Sequence, residues 1–267
     1  MSMPEPRVRS AESARDSPSL VLLLSLALDR LRWGLSLWTT LATPVALAAL
    51  FAVAVFIGAG RGQEEVWDHW FGLTLYIWAV LTPMLAALYA VGADQADESA
   101  KRVMYTYAFP RRRLLFADVL ALMALWTVSA LMLAALIAAA ALANDTPGDA
   151  GTAFAGALMP VLAALPTLVL CVLATEAWGV AGATCVGVAG TLFGALAGDK
   201  VYWWVFPPAW PTRGVIPIAE NQGLASLDAA GVPLLSLSVL PVIGIAVLGL
   251  SGVLLAVGAL YVDRREI

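Results

Sequence analysis

The chain has 267 residues, of which 61% are hydrophobic and 13% charged, and its mean hydropathy is +0.85. That balance excludes a soluble globular domain, and a formal net charge of −4 on so apolar a chain leaves no nucleic-acid footprint. Apolar stretches of about twenty residues match the hydrocarbon core of a bilayer, roughly 30 Å thick, so an all-α integral membrane protein is expected.

Residues 1–19, rich in Ser, Pro, Arg and Glu, are expected to form a disordered cytosolic tail. In residues 20–36, Ser25, Asp29, Arg32 and Ser36 recur at helical spacing opposite Leu20, Leu24, Leu28 and Leu31. This pattern predicts an amphipathic helix lying in the membrane interface; Leu20–Leu28 alone would resemble a signal-peptide core, but it continues into Asp29, Arg30, Arg32 and Trp33. Residues 37–267 divide most economically into six spans: Leu37–Gly58, Leu73–Val91, Val119–Leu142, Phe154–Leu173, Trp178–Ala197 and Val239–Tyr261. With both ends inside, twelve basic residues face the cytoplasm, among them Arg30, Arg32, Lys101, Arg102, Arg111–Arg113 and Arg264, leaving Arg61, Lys200 and Arg213 outside. The inverse topology would oppose the positive-inside bias.

Between the second and third spans lies the one dense charge cluster, residues 94–113. Asp97 precedes Lys101 by four residues and Glu98 precedes Arg102 by four, the favourable order for helical charge pairs, so a short helix outside the bilayer is expected. Asp94, Asp97, Glu98, Lys101, Arg102 and Tyr105 form its polar side. Pro110 disfavours helix at Phe109, and Arg111–Arg113 then meet the headgroups. Such a segment either presents a helix to a soluble partner or only fixes topology.

Trp67, Trp70 and Trp78 near the first outer loop are expected in an aromatic belt. Cys171 and Cys185 lie in or near spans and read as buried thiols, without the spacing of a metal or redox motif. Glycines 179, 182, 187, 190 and 194 in the fifth span, and 244, 249, 252 and 258 in the sixth, permit close helix approach, within the chain or against a second copy. Residues 198–238 hold Tyr202, Trp203, Trp204, Phe206, Trp210 and several prolines, a composition suited to interfacial or re-entrant pieces in the headgroup layer.

The spans carry essentially no titratable groups, which disfavours a proton- or ion-coupled carrier. Gly249-Leu250-Ser251-Gly252 has the Gly-x-Ser-Gly pattern of rhomboid-type intramembrane proteases, but the sole histidine, His69, is placed in an outer loop and makes no dyad. One histidine and two distant cysteines make no plausible zinc site. Neither lysine, Lys101 or Lys200, stands in Gly-x-x-x-x-Gly-Lys-Ser/Thr, so no phosphate-binding loop is expected.

An amphipathic N-terminal helix, a charged helix with Glu98 and Lys101/Arg102, then Ala108-Phe109-Pro110-Arg111-Arg112-Arg113 and a third span resembles the permease subunits of type-2 ABC exporters. Within that superfamily the chain is most similar to the small six-span permeases of lantibiotic- and peptide-antibiotic-immunity exporters. The likeness covers the architecture of nearly the whole chain, but its motif occupies only residues 94–113. Family loops often carry a Lys a few residues after the Pro–Arg pair, whereas Asp118 and its neighbours supply none.

The resemblance implies a coupling helix within residues 94–113 (Asp94, Asp97, Glu98, Lys101, Arg102, Tyr105) that docks on a separate ATPase, with Glu176 in a smaller second contact. It implies that Trp203, Trp204, Phe206, Trp210 and Arg213 close the outer end of the transport path. ATP and magnesium would be held by the partner ATPase, and this chain would bind no cofactor of its own. The further partners implied are a second permease copy or paralogue and an amphipathic peptide or lipid-like cargo, in a bacterial cytoplasmic membrane with both termini cytoplasmic. A non-transporting structural or assembly protein is the alternative expectation.

Overall fold

The computed structural model describes residues 19–58, 63–104, 111–219 and 237–264, with the side chains of 63–65, 97–104 and 111 outside that description. Among the described residues the regular elements are all helices, joined by short turns: α1 (Leu20–Leu31), α2 (Leu35–Gly58), α3 (Gln63–Met104), α4 (Arg111–Ala143), α5 (Asp149–Ala163), α6 (Leu165–Ala197), α7 (Trp210–Ala219) and α8 (Val239–Arg264). Two short 3₁₀ turns, Trp203–Val205 and Pro207–Ala209, precede α7. Five helices, α2, α3, α4, α6 and α8, are long and apolar enough to cross a membrane.

α3 is the axis of the bundle. Its apolar stretch is 61% buried, against 22% for α2 and 17% for α8, whose remaining surfaces are apolar and exposed as lipid-facing helices require. Trp78, Ala79, Ala86 and Tyr89 on α3 are fully buried. Pro83 sits inside α3 and Pro44 inside α2, and both helices continue through them.

Contacts along the bundle fix helix directions. At one end, Trp67 at the start of α3 donates its indole N–H to Asp149 Oδ2 at the start of α5 (2.8 Å). At the other, Leu173 of α6 and Leu115 of α4 both border Gly258 of α8. α5 therefore runs alongside α3, and the first half of α6 carries on in the same direction. The joint between them, at Ala164, stays in helical φ/ψ and is flanked by Pro160 and Pro166, each of which removes one backbone donor.

Within α6 the backbone breaks at Gly179, with φ 68° and ψ −160°. A Cβ at Gly182 would lie 2.7 Å from the carbonyl oxygen of Ala174, eight residues earlier. Eight residues of straight helix would separate them by about 12 Å, so the chain turns back on itself here. The second half of α6 returns along α3, since Gly187 abuts Ala87 and Gly190 abuts Pro83. The expected span Phe154–Leu173 thus straddles the proline-flanked joint, and the expected Trp178–Ala197 begins one residue before the break.

Other expectations are corrected. The interfacial helix ends at Leu31 rather than residue 36, because the chain turns at 32–34; Ser36 belongs to α2 and is fully buried. α1 is capped by Ser19, which accepts from Leu22 N (3.2 Å), and it buries Leu23, Ala27 and Leu31, while Leu20 of the expected apolar face is exposed. The charged segment is no separate short helix, since α3 continues unbroken through Met104. Trp67 and Trp78 are core residues, 3% and 0% exposed, rather than belt residues, because Asp149 and the Ala157 carbonyl satisfy their N–H groups inside the bundle. Cys171 is buried, but Cys185 is exposed on the outer face of α6. Residues 1–18 of the expected tail lie outside the described residues.

Candidate functional site

The two ends of the bundle differ in chemistry. The charged end collects the last turns of α3, the first turns of α4, α1, the end of α8 and the break in α6. Asp94 is half-buried on α3, and Asp97, Glu98, Lys101 and Arg102 follow it at spacings of three, four, seven and eight, which place them along one side of the helix. Tyr105 lies outside the described residues, and Arg111, immediately after Pro110, opens α4. Glu176 is half-buried, three residues before Gly179.

α1 is fastened at this end by an ion pair. Arg30 Nη2 donates to Asp118 Oδ1 at 2.6 Å, across 88 residues of sequence, with the two side chains 16% and 23% exposed. Asp118, in the second turn of α4, is therefore the residue that holds α1 through Arg30. Around α1, Ser25, Asp29 and Arg32 are exposed and polar, with Arg32 Nη1 donating to Asp29 at 2.8 Å, while Leu22, Leu26 and Trp33 are exposed and apolar. One helix thus presents a protein face, a polar face and a lipid-compatible face.

At the aromatic end, the 3₁₀ turns and α7 form a cap. Phe206 stacks on Phe193 of α6 with ring centroids 5.5 Å apart, and Tyr202 meets Phe206 edge-on at 6.3 Å. Trp210 is buried and donates its N–H to the Trp204 carbonyl (3.2 Å), whereas Trp204 as a whole is 64% exposed. Arg213 is 2% exposed, with its guanidinium carbon 6.0 Å from the centre of the Trp203 ring. Gly194 and Gly198 let this cap descend onto α6: a Cβ at Gly194 would lie 2.7 Å from the Pro208 carbonyl oxygen, and one at Gly198 2.8 Å from Thr212. Trp203, Phe206, Trp210 and Arg213 are brought together, and Trp204 contributes its backbone. Beside the cap, Lys200 donates to Asp199 at 2.6 Å, and that hydrogen bond raises the Lys200 pKa. Residues 220–236 of the aromatic segment lie outside the described residues.

Among the described residues, no group of three or more His, Cys, Asp and Glu could hold a metal ion. His69 is exposed near the start of α3, and Ser251 is buried midway along α8. Three features had no sequence signal: the Arg30–Asp118 pair, the turn at Gly179, and a polar seam around Tyr89, Trp126 and Ser129. Each depends on residues that only packing brings together or on a backbone angle that composition does not specify.

The class these elements define is a multi-pass helical membrane protein. No protein-family model, curated protein or solved structure matches the chain.

Proposed function

We propose that the chain is the membrane-spanning permease subunit of an ATP-driven exporter. It moves an amphipathic peptide or lipid-like molecule, with ATP and magnesium held by separate ATPase subunits and a second permease copy or paralogue completing the complex. The observation that carries the reading is the extension of α3 beyond its apolar stretch. That helix runs on through Met104, so Asp94, Asp97, Glu98, Lys101 and Arg102 are continuous along one helix with the most buried of the span-length helices. A force applied to the charged end would reach the core through one lever, and Glu176, the turn at Gly179 and the fastened α1 lie around the same end.

In this reading the membrane is crossed six times. α5 with the first half of α6 makes one crossing and the second half of α6, after Gly179, the next. The charged end is cytoplasmic, because Arg30, Arg32, Arg111–Arg113 and Arg264 gather there while Lys200 and Arg213 lie at the aromatic end. Trp203, Phe206, Trp210 and Arg213 form the outer gate, and cargo is recognised by shape and apolar contact.

The test is co-purification of the tagged chain from its native host in mild detergent, followed by mass spectrometry and an ATPase assay. Recovery of an ATPase that is lost from Glu98→Ala and Arg102→Glu variants, with insertion intact, supports the reading. If no nucleotide-binding protein is recovered under conditions that preserve a known exporter complex, a structural or assembly role replaces it.

A further inference from the structure

Many hydroxyl and indole groups in the interior of this bundle are satisfied by two repeated devices. Thr39, Thr74, Thr127 and Thr175 each donate to the carbonyl four residues earlier on their own helix, at 2.7–2.9 Å. The buried indoles of Trp67, Trp78 and Trp210 each find an oxygen acceptor at 2.8–3.2 Å. The hydroxyls of Thr167, Thr212 and Ser251 lack a protein partner singly, whereas in one seam between α2, α3 and α4 a buried indole and buried hydroxyls are left over around a single tyrosine. The Trp126 Nε1 and Ser129 Oγ, on residues 0% and 1% exposed, have no hydrogen-bond partner among the protein atoms, and neither does Ser36 Oγ nearby. Each such group in a non-polar interior costs about 1–3 kcal/mol when left unmade.

The protons in the seam can be assigned. The single hydroxyl proton of Thr40 goes to the Ser36 carbonyl at 2.7 Å, so in its 3.0 Å contact with Tyr89 the Thr40 oxygen accepts and Tyr89 donates. The Tyr89 oxygen keeps an acceptor site after that bond. Its ring lies against Trp126, centroids 5.7 Å apart, and Ser129 stands beside its hydroxyl. The indole of Trp126 can only donate, and Ser129 can do both. A guest that accepts from the indole and donates to Tyr89 or Ser129 completes the set, and it must be small and neutral.

We propose that this seam holds one internal water molecule, accepting from Trp126 Nε1 and bridging to Tyr89 Oη and Ser129 Oγ. Three polar partners are the usual complement of a buried water. The site ties α3 to α4 within the bilayer through a hydrogen-bond bridge, and through Thr40 it reaches α2. It stands independently of the transport reading.

The experiment is a thermal-melting cycle on the intact detergent-solubilised protein with Ser129→Ala, Trp126→Phe and the double variant. Ser129 and Trp126 share no direct hydrogen bond but both lie beside Tyr89, so the cycle is repeated with Tyr89→Phe in the background, where coupling through the Tyr89 hydroxyl is lost and coupling through a shared guest persists. Ser129→Ala is expected to lower Tm by about 2–4 °C, and the double variant to melt within about 1 °C of the lower single. An unchanged or raised Tm for Ser129→Ala overturns the proposal, because removing an unsatisfied hydroxyl relieves a penalty; so does strict additivity. Should Trp126→Phe fail to fold, a map of the unmodified protein at about 2 Å resolution decides: a peak within about 3.2 Å of Nε1 supports the water, and none overturns it.

Discussion

Gly179 and the Arg30–Asp118 pair do work that no neighbour can take over. Gly179 has φ 68° and ψ −160°, a region that only glycine occupies readily, yet a Cβ there would meet nothing within 4 Å. The constraint is backbone conformation rather than space. Gly179→Ala should therefore destabilise the protein by about 1–3 kcal/mol, read as a lower melting temperature in detergent. The Arg30–Asp118 pair is the second case, because its geometry is short and both side chains are mostly buried. Arg30→Gln should cost about 1–2 kcal/mol, between an exposed and a fully buried pair. The swap of Arg30→Asp with Asp118→Arg should recover part of that loss; no recovery would mean the effect lies in α1 packing instead. Neither residue was legible beforehand: Gly179 was one of several helix-spaced glycines, and Asp118 was notable only as a departure from a motif.

At the scale of elements, the two glycine-rich helices use their glycines differently. In α6 a Cβ at Gly187 would lie 2.5 Å from Ala87 Cβ and 3.2 Å from the Pro83 carbonyl, so these glycines serve close packing on α3 within the chain. In α8, Gly244, Gly249 and Gly252 have nothing within 4 Å, and only Gly258 is in contact. Gly187→Val should accordingly lower the melting temperature by several degrees, on the order of 1–3 kcal/mol of overpacking. Gly249→Ala should leave it unchanged or slightly higher, since alanine favours the helix by about 1 kcal/mol. If both variants behaved alike, the packing contrast would be wrong. Periodicity revealed that both helices had small faces, but not which face met a neighbour.

For the whole molecule, the helix directions make accessibility a direct measurement. With Cys171 and Cys185 replaced by alanine, a cysteine introduced at Gly148 should react with an impermeant thiol reagent added outside intact cells. One introduced at Ala177, two residues before the break, should react only after the cytoplasmic side is opened. Equal labelling at both from outside would mean that α5 and the first half of α6 do not make a crossing. The same arrangement explains why the bundle tolerates so much apolar surface. α2 and α8 bury little against the protein and expose rows such as Phe56 and Ile57, or Ile245 and Leu248, which lipid covers without penalty.

Composition and patterning determined the class of this protein: hydrophobic runs of span length, one charged segment, an amphipathic entry helix and an aromatic segment are all legible in the sequence. They were legible because each is a local property, set by transfer of side chains between water, interface and hydrocarbon. The tertiary structure alone decided which surfaces are internal. It moved Trp67 and Trp78 from a supposed belt into the core and made the charged segment a continuation of α3. It also folded α6 back at Gly179 and joined Arg30 to Asp118. In a chain this uniformly apolar, hydrophobicity does not distinguish a lipid-facing residue from a helix-facing one. Steric fit and the pairing of the few polar groups make that choice, and both act between residues far apart in sequence.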